Sequence, residues 1–462
     1  MKPVLLIDFG STYTKVAAVD AGGPRLLGTA GAYTTVATDV GEGLDIALRE
    51  LTAKTGPLAF AGRYACSSAA GGLRMVACGL VPSLTVEAAK RAALGAGAKV
   101  VKVYSYELTE ADTLQIASLA PDILLLTGGT DGGNRANILQ NAEALAGVPG
   151  DFPVVIAGNR TAAAQCVRLL AGSGHEAIVC ENVMPVFNQL NIGPAQEVIR
   201  SLFLRRIIQA KGLSRQQGLV DGILMPTPSA VLAALELLSF GTESSSGLGD
   251  LVAIDLGGAT TDVYSIADGL PSGASTMLRG LPEPRAKRTV EGDIGMRYGA
   301  AGMVEAACMA RICGLSGLPE GEVEALLTLI REDPGVLPEG KESLSRLDAA
   351  LATAAMEIGL TRHAGTIEQV FTPTGPVFLQ TGKDLTAVGT LLLTGGCLVH
   401  GGGAEEIARH ALQNMDNPSS LKPRNARVLL DKPYILAAMG LLAGKHPEAA
   451  LCLMKRHIVD QP

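Results

Sequence analysis

An α/β protein made of two related halves, with a doubly wound unit inserted in the first, is the fold class this sequence predicts. Three observations lead there. The stretch LLIDFGSTYTKVAAVD at residues 5–20 and the stretch LVAIDLGGATTDVYSI at residues 251–266 share one design, strand–Asp–Gly–hydroxyls–strand. Between residues 84 and 180 short apolar strands alternate with Ala-rich helical patterns. The 56 glycines among 462 residues suit a protein with many strand-to-helix turns.

In chain order, residues 4–7 and 16–19 read as two strands of a hairpin, joined by the polar run from Asp8 to Lys15. Helices are expected near residues 85–94, 110–119, 134–145 and 161–170. Strands are expected at 100–104, 123–126, 154–157 and 177–180, which completes a parallel, flavodoxin-like unit. Gly193-Pro194 opens a helix that stops at Lys211-Gly212, with Pro at its start and Gly past its end. A further helix begins at Pro226-Thr227-Pro228-Ser229. The Ser- and Gly-rich stretch 239–249 reads as a linker, and the second copy of the hairpin design follows it at once. The expected layout is residues 1–60 and 181–240 as a first lobe, 61–180 as the inserted domain, and 250–462 as a second lobe, with 290–385 its more variable part.

The net charge of −7 and the absence of a basic stripe argue against nucleic acid and against an anionic membrane surface. Eight cysteines without a CxxC pair indicate neither a zinc ribbon nor a disulfide framework, so a reduced, cytoplasmic setting is expected. The first ten residues lack the layout of a signal peptide. The uncharged window 385–404 carries six glycines and a His, which suits a strand and turn better than a membrane span. Six histidines are otherwise isolated in sequence, and most read as solvated or helix-capping.

Each hairpin turn is a pocket for anionic oxygens. Glycine lets backbone approach a ligand, and consecutive N–H groups with Ser and Thr hydroxyls supply donors. A third stretch, LLLTGGCLVHGGGAEEI at 391–407, runs strand, Gly395-Gly396, loop, Gly401-Gly402-Gly403 and helix; bare backbone there admits a flat ring or ribose. The stretch LLLTGGTDGGN at 124–134 begins with the same six letters, and spacing alone does not decide which of the two meets a ligand.

On IDFGSTYTK, IDLGGATTDV, LLLTGGCLVHGGG and YILAAMGLLAG, in that order, the sequence resembles the ASKHA superfamily of actin, the heat-shock ATPases and the sugar kinases. Within it, the chain resembles the glutamate mutase (methylaspartate mutase) accessory protein family of the GlmL/MutL type. ACSSAAGGLRMVACGLVPSLT, PDILLLTGGTDGGN, CENVMPVFNQLNIGPAQEVI, PTPSAVLAALELL and VEGDIGMR carry that likeness over nearly the whole chain. The resemblance implies an actin-like, ribonuclease H-like two-lobed ATPase. It would assemble or reactivate an adenosylcobalamin-dependent mutase or aminomutase, with ATP/ADP and Mg²⁺ as cofactors.

On the superfamily pattern, Asp8 and Asp255 hold Mg²⁺, with Asp293 as a third acidic candidate or a cap of the helix expected at 295–308. Gly10, Ser11, Thr12, Tyr13, Thr14 and Lys15 grip one set of phosphate oxygens; Gly257, Gly258, Ala259, Thr260 and Thr261 grip the other. Asp262 or Thr260 orients water. Thr394, Gly395, Gly396, Gly402 and Gly403 form the adenosine loop. Ala259 departs from the heat-shock pattern of three glycines, and its methyl narrows the approach to phosphate. The inserted unit is expected to face the partner without ligating cobalt, since His175 lacks the DxHxxG context. Three alternatives remain: a small-molecule kinase, a nucleotide-gated scaffold without turnover, and an iron–sulfur activator using Cys308 and Cys313, which read more simply as buried helix residues.

Overall fold

A computed structural model describes residues 2–34, 40–68, 74–210, 223–273, 275–373, 375–413 and 416–460. The chain forms two compact units, one from Met1–Ala69 with Lys211–Pro462 and one from Ala70–Ala210.

The first unit opens with the antiparallel pair β1 (Pro3–Phe9) and β2 (Tyr13–Asp20), then β3 (Arg25–Tyr33), helix α1 (Val40–Thr55) and β4 (Gly62–Ser67). The strands reach further than the polar run suggested. Asp8 pairs with Lys15 and Phe9 with Thr14 in the ladder, which leaves a tight turn closed by Gly10 N–H donating to the Tyr13 carbonyl at 3.1 Å. β4 lies parallel to β1 and sets Cys66 beside Asp8.

The unit Ala70–Ala210 contains β5 (Arg74–Gly79), α2 (Glu87–Gly95), β6 (Lys99–Ser105), α3 (Glu110–Leu119), β7 (Ile123–Leu126), α4 (Ala136–Ala146), β8 (Val154–Ile156), α5 (Arg160–Ala171), β9 (Ala177–Val179) and α6 (Gly193–Ala210). Its parallel sheet has the order β6-β5-β7-β8-β9. Val76, Leu124, Leu126 and Ile156 meet helix residues such as Ile138 and Leu145 in one apolar core. A capping box between Thr109 and Asp112 starts α3. The sequence reading omitted β5, whose Met, Ala and Cys content gives a weak strand signal although all of Met75 to Gly79 is buried. The helix α6 belongs here as well: Arg200 Nη2 donates to the Gly95 carbonyl at 3.3 Å. The compact unit therefore extends to Ala210, beyond the expected boundary at 180. The predicted stop at Lys211-Gly212 lies outside the described residues.

His175 is buried, with Nε2 3.0 Å from the Val148 carbonyl oxygen and its ring against Phe152. It is a core residue, not a solvated one.

The chain then continues with β10 (Ile223–Pro226), α7 (Thr227–Phe240), β11 (Leu251–Leu256), β12 (Thr261–Ile266), β13 (Thr276–Arg279), β14 (Ala286–Glu291), α8 (Ala300–Ala307), α9 (Met309–Ser316), α10 (Glu320–Glu332) and α11 (Glu342–His363). β15 (Thr366–Thr372), β16 (Gly375–Thr381), β17 (Thr390–Thr394), α12 (Gly396–His400), α13 (Ala404–Gln413), β18 (Arg427–Leu430), α14 (Leu436–Ala443) and α15 (Pro447–Met454) complete it. The sheet β10-β4-β1-β2-β3 and the sheet β18-β17-β11-β12-β14 match strand for strand, and a small sheet β13-β16-β15 stands beside them. This is the duplicated α/β fold the repeated hairpins predict.

The fifth strand of each large sheet leads into a helix, α7 after β10 and α14 after β18. Both helices share one core with Leu6, Val19, Ala253 and Tyr264 from the two sheets. The helices cross where Gly440 meets Ala230: a Cβ at residue 440 would fall on the Ala230 carbonyl oxygen.

Two readings of local sequence are corrected. The stretch 239–249 is tied down, with Ser239 Oγ donating to the Gly249 carbonyl at 2.7 Å and Thr242 and Ser244 donating to Glu448 of α15. Its hydroxyls bond to neighbouring groups, which the linker-like composition does not reveal. His363 is buried, with Nδ1 2.8 Å from Thr289 Oγ1 and Nε2 2.8 Å from Ser265 Oγ; burial holds its pKa well below the usual imidazole value.

Gly440→Ala is expected to destabilise the protein by about 1–3 kcal/mol or more through overpacking at this crossing. Urea unfolding followed by circular dichroism would check it, and an unchanged midpoint would contradict the close helix contact.

Candidate functional site

The two hairpin turns are built alike. Gly257 N–H donates to the Thr260 carbonyl at 3.0 Å, as Gly10 does to Tyr13, and Asp255 pairs with Asp262 as Asp8 does with Lys15. The turns face each other: a Cβ on Gly258 would come within 3.1 Å of Thr12 Oγ1. A Cβ on Gly10 would come within 2.5 Å of the Tyr13 carbonyl oxygen, so Gly10 has no room for a side chain, while Gly258 brings bare backbone close to Thr12.

Asp8 is buried at the end of β1. Its Oδ1 accepts from Thr227 Oγ1 at 2.6 Å, at the start of α7, and from the Cys66 thiol at 3.5 Å. Its Oδ2 forms an ion pair with the Lys15 ammonium at 2.9 Å. That ammonium also lies 3.8 Å from the centre of the Tyr434 ring, across from the second sheet. Burial alone would lower the Lys15 pKa; Asp8, Tyr434 and Asp255 outweigh it and raise it well above the usual lysine value.

Asp255 holds the equivalent place on β11. Burial pushes its pKa up to about 7, and the carboxylates of Asp262, Asp8 and Asp431 push the same way against Lys15. Asp431, fully buried after β18, accepts the Ile435 and Leu436 N–H groups at 2.9 Å each and so caps the start of α14; the Thr394 hydroxyl lies 3.3 Å from it. Burial raises its pKa, tempered by those bonds. Thr227, Cys66, Tyr434 and Asp431 were not singled out from sequence, because only the fold brings them to Asp8 and Asp255.

The remaining expected residues divide. Ser11 and Thr12 stand at the first turn, and Tyr13 is exposed beside it, edge-on to Tyr33. Thr14 is buried and its hydroxyl lies 3.0 Å from that of Thr34, while Thr261 is buried and donates to the Ile294 carbonyl at 2.9 Å. Those two hydroxyls hold the framework and do not face the turns. Ala259 and Thr260 are half-buried at the second turn. Asp262 forms an ion pair with Arg288 at 2.6 Å and accepts from Thr260 Oγ1 at 3.4 Å, so it is a paired carboxylate and not a free one.

Asp293 is exposed, and the helix after it starts at Ala300 with Gly299 before it, so Asp293 caps nothing. Among the described residues no group of three or more His, Cys, Asp and Glu side chains could hold a metal ion, which corrects the idea of a three-acid cluster. Cys308 is exposed at the break between α8 and α9, and Cys313 is half-buried. Neither is the deeply buried helix residue expected.

In the third stretch, Thr394 pairs with Asp255, and Gly395 (φ 111°) packs so tightly that a Cβ would strike the Leu256 carbonyl oxygen. Gly396 begins the short helix α12 where a loop was expected, whereas Gly402 and Gly403 (φ 74° and 70°) have open space around them before α13. Of the two LLLTGG segments, this one shares its sheet with the second turn and the other begins within β7 of the inserted unit. Arg297 supports the second turn: its N–H donates to the Gly258 carbonyl at 2.8 Å, and its guanidinium grips Asp348 at 2.9 and 2.8 Å.

At this place the buried Thr12 hydroxyl has no partner among the described residues, and Asp8 Oδ2 is met only by the Lys15 ammonium. With glycine turns on both sides and paired carboxylates between, the donor set fits a divalent cation with phosphate oxygens. Matching five-stranded sheets, each carrying one glycine–hydroxyl turn beside an Asp, place the chain in the actin-like α/β class. The chain belongs to the MutL protein family, which matches residues 4–458. Protein MutL of Clostridium tetanomorphum is 45% identical over 461 residues, covering 99% of this chain and 100% of the relative.

Similar solved structures include the activator of 2-hydroxyisocaproyl-CoA dehydratase from Clostridium difficile with bound ADPNP. It is 11% identical, the match covers 98% of this chain and 97% of that one, and the TM-score is 0.33. A ligand-bound xylulose kinase from Lactobacillus acidophilus is 11% identical over 99% of this chain and 92% of that one, with TM-score 0.35. No helix among the described residues is long and apolar enough to cross a membrane.

The raised pKa of Asp255 has a pH signature. Between its ordinary value of 3.8 and about 7 the folded protein binds a proton that the unfolded chain has released, so stability falls as pH rises through that window. Melting temperatures of protein kept free of metal and nucleotide should fall from pH 5 to pH 7, and Asp255→Asn should flatten the fall. An equal fall in the variant would assign it to another group.

Proposed function

We propose that the two turns bind the phosphates of ATP with Mg²⁺, and that the chain is an ATP-driven accessory protein that assembles or reactivates an adenosylcobalamin-dependent mutase or aminomutase. The observation carrying the nucleotide part is the pair of facing glycine turns, with the buried Thr12 hydroxyl left without a described partner and Asp8 Oδ2 met only by the Lys15 ammonium. The partner class rests on the resemblance to the glutamate mutase accessory family, which membership of the MutL family supports.

On this reading Asp8 and Asp255 hold Mg²⁺ through its waters, since the ion sheds its hydration shell reluctantly. The ion would neutralise phosphate charge. Lys15 is close enough to add a cation at the same place, and Ser11, Thr12 and the N–H groups of both turns position the phosphates. Asp262, held by Arg288, steadies the Thr260 hydroxyl, which is left as the group to orient water. Thr394, Gly395, Gly396, Gly402 and Gly403 would receive the nucleoside.

The inserted unit would face the partner enzyme without ligating cobalt, as His175 already spends Nε2 on Val148. A kinase would need a free cleft carboxylate as base; Asp262 is paired and Asp293 exposed, so the geometry favours hydrolysis.

ATP turnover with and without candidate mutases is the test. Mutase-stimulated hydrolysis should drop by about 100-fold or more in both Asp8→Ala and Asp255→Ala, the scale of losing a preorganised charge-stabilising group. Tight ATP binding without turnover at any mutase concentration would instead make the protein a nucleotide-gated scaffold.

A further inference from the structure

The segment LLLTGGTDGGN at 124–134, which the nucleotide reading does not use, leads from β7 toward α4 in the inserted unit. β7 pairs with β5, and the chain leaves the two strands in opposite directions, from β5 to β6 on one side and from β7 to β8 on the other. Their carboxyl ends therefore frame the crevice in which open parallel sheets take ligands.

Two asparagines one turn apart on α4 stand at this end of the sheet. Asn141 is fully used: its Nδ2 donates to the Tyr106 carbonyl at 2.9 Å and its Oδ1 accepts the Leu108 N–H at 2.8 Å. Asn137 is 4% exposed, yet neither its Oδ1 nor its Nδ2 has a hydrogen-bond partner among the described residues. The start of α4 does not need that amide, because the Asn137 N–H is already accepted by Asn134 Oδ1 at 3.1 Å.

The unpaired amide lies at the loops of the crevice. A side chain on Gly128 would start 3.2 Å from Asn137 Oδ1 and 3.9 Å from Leu80, the first residue after β5, so glycine keeps side-chain atoms out of the gap between the two loops. A donor and an acceptor buried side by side without partners are costly to the folded chain, and such a cost is met where a ligand supplies the missing bonds.

We propose that Asn137 binds a primary carboxamide inserted between the loops that follow β5 and β7, with Oδ1 accepting the ligand's N–H and Nδ2 donating to its carbonyl oxygen. Asn141 shows the same pairing one turn along, where its amide meets a carbonyl and an N–H of the chain itself. A charged group is disfavoured there, since Asn137 is neutral and buried beside Ile138 and would leave the charge unpaired. The depth of the amide calls for a carboxamide on a slender stem, either a free small molecule or the Gln side chain of a partner's loop. The proposal is independent of the nucleotide reading.

Melting of full-length variants gives the first test. Asn137→Leu, similar in shape and apolar, should melt at or above the wild-type temperature because it removes an unpaired donor and acceptor, whereas Asn141→Leu should melt several degrees lower. Equal falls in the two variants would make Asn137 a structural residue and overturn the proposal.

The second test is saturation-transfer NMR with propionamide as the probe. Its binding should saturate, weaken about tenfold or more in Asn137→Leu, and be absent for propionate, which lacks the N–H donors. Tighter binding of the capped peptide acetyl-Gly-Gln-Gly-amide than of propionamide would assign the carboxamide to a partner's side chain, and the reverse order to a small molecule. No saturable binding of either probe, equal binding of propionate, or unchanged binding by Asn137→Leu would each overturn the assignment.

Discussion

A buried strand-end carboxylate, Asp8, meets the Lys15 ammonium at 2.9 Å, and the rest of the large unit follows from that constraint. A bare charge out of water is costly, Lys15 is the cation the chain itself supplies, and the matching carboxylate of Asp255 acts on the same ammonium. Tyr434 faces the same ammonium and Thr227 donates to Asp8, so the charge pair is gripped from both sheets and from the helix between them. The arrangement leaves room for a ligand. The buried Thr12 hydroxyl has no described partner, and Asp8 Oδ2 is met only by the Lys15 ammonium.

Duplication explains how one chain brings two such turns together. Each five-stranded sheet ends in a helix, and α7 and α14 cross at Gly440 closely enough to share a core with both sheets. The starts of these helices carry the matching contacts: Thr227 bonds to Asp8, and Asp431 caps α14 while lying beside Thr394. The halves have diverged where chemistry differs, since the partner of the strand-end Asp is Lys15 in the first ladder and Asp262, bound to Arg288, in the second. One turn thus contributes a cation and the other a neutralised acid.

The hairpins were legible because glycine and hydroxyls interrupt apolar strands at one spacing, twice. The inserted unit was legible from its alternation, except β5, where Met, Ala and Cys supply burial without a β-branched signal. What sequence could not provide was long-range partnership. Thr227 lies 219 residues from the carboxylate it donates to, and Cys66 reaches Asp8 only through parallel pairing. Composition also misled where polar residues bond locally: Ser- and Thr-rich 239–249 reads as a linker yet is fastened to α15, and Asp293 reads as a cap yet caps nothing.

The central claim is that the two turns form one phosphate site. Calorimetric titration of Mg·ATP into the wild type, Thr12→Val and Gly258→Val tests it most directly. The account predicts one ATP per chain, with both substitutions weakening that single event by about tenfold or more, since the first removes a donor to a charged group and the second puts a branched side chain between the facing turns. Two independent binding events, or a full-affinity event that survives either substitution, would contradict it.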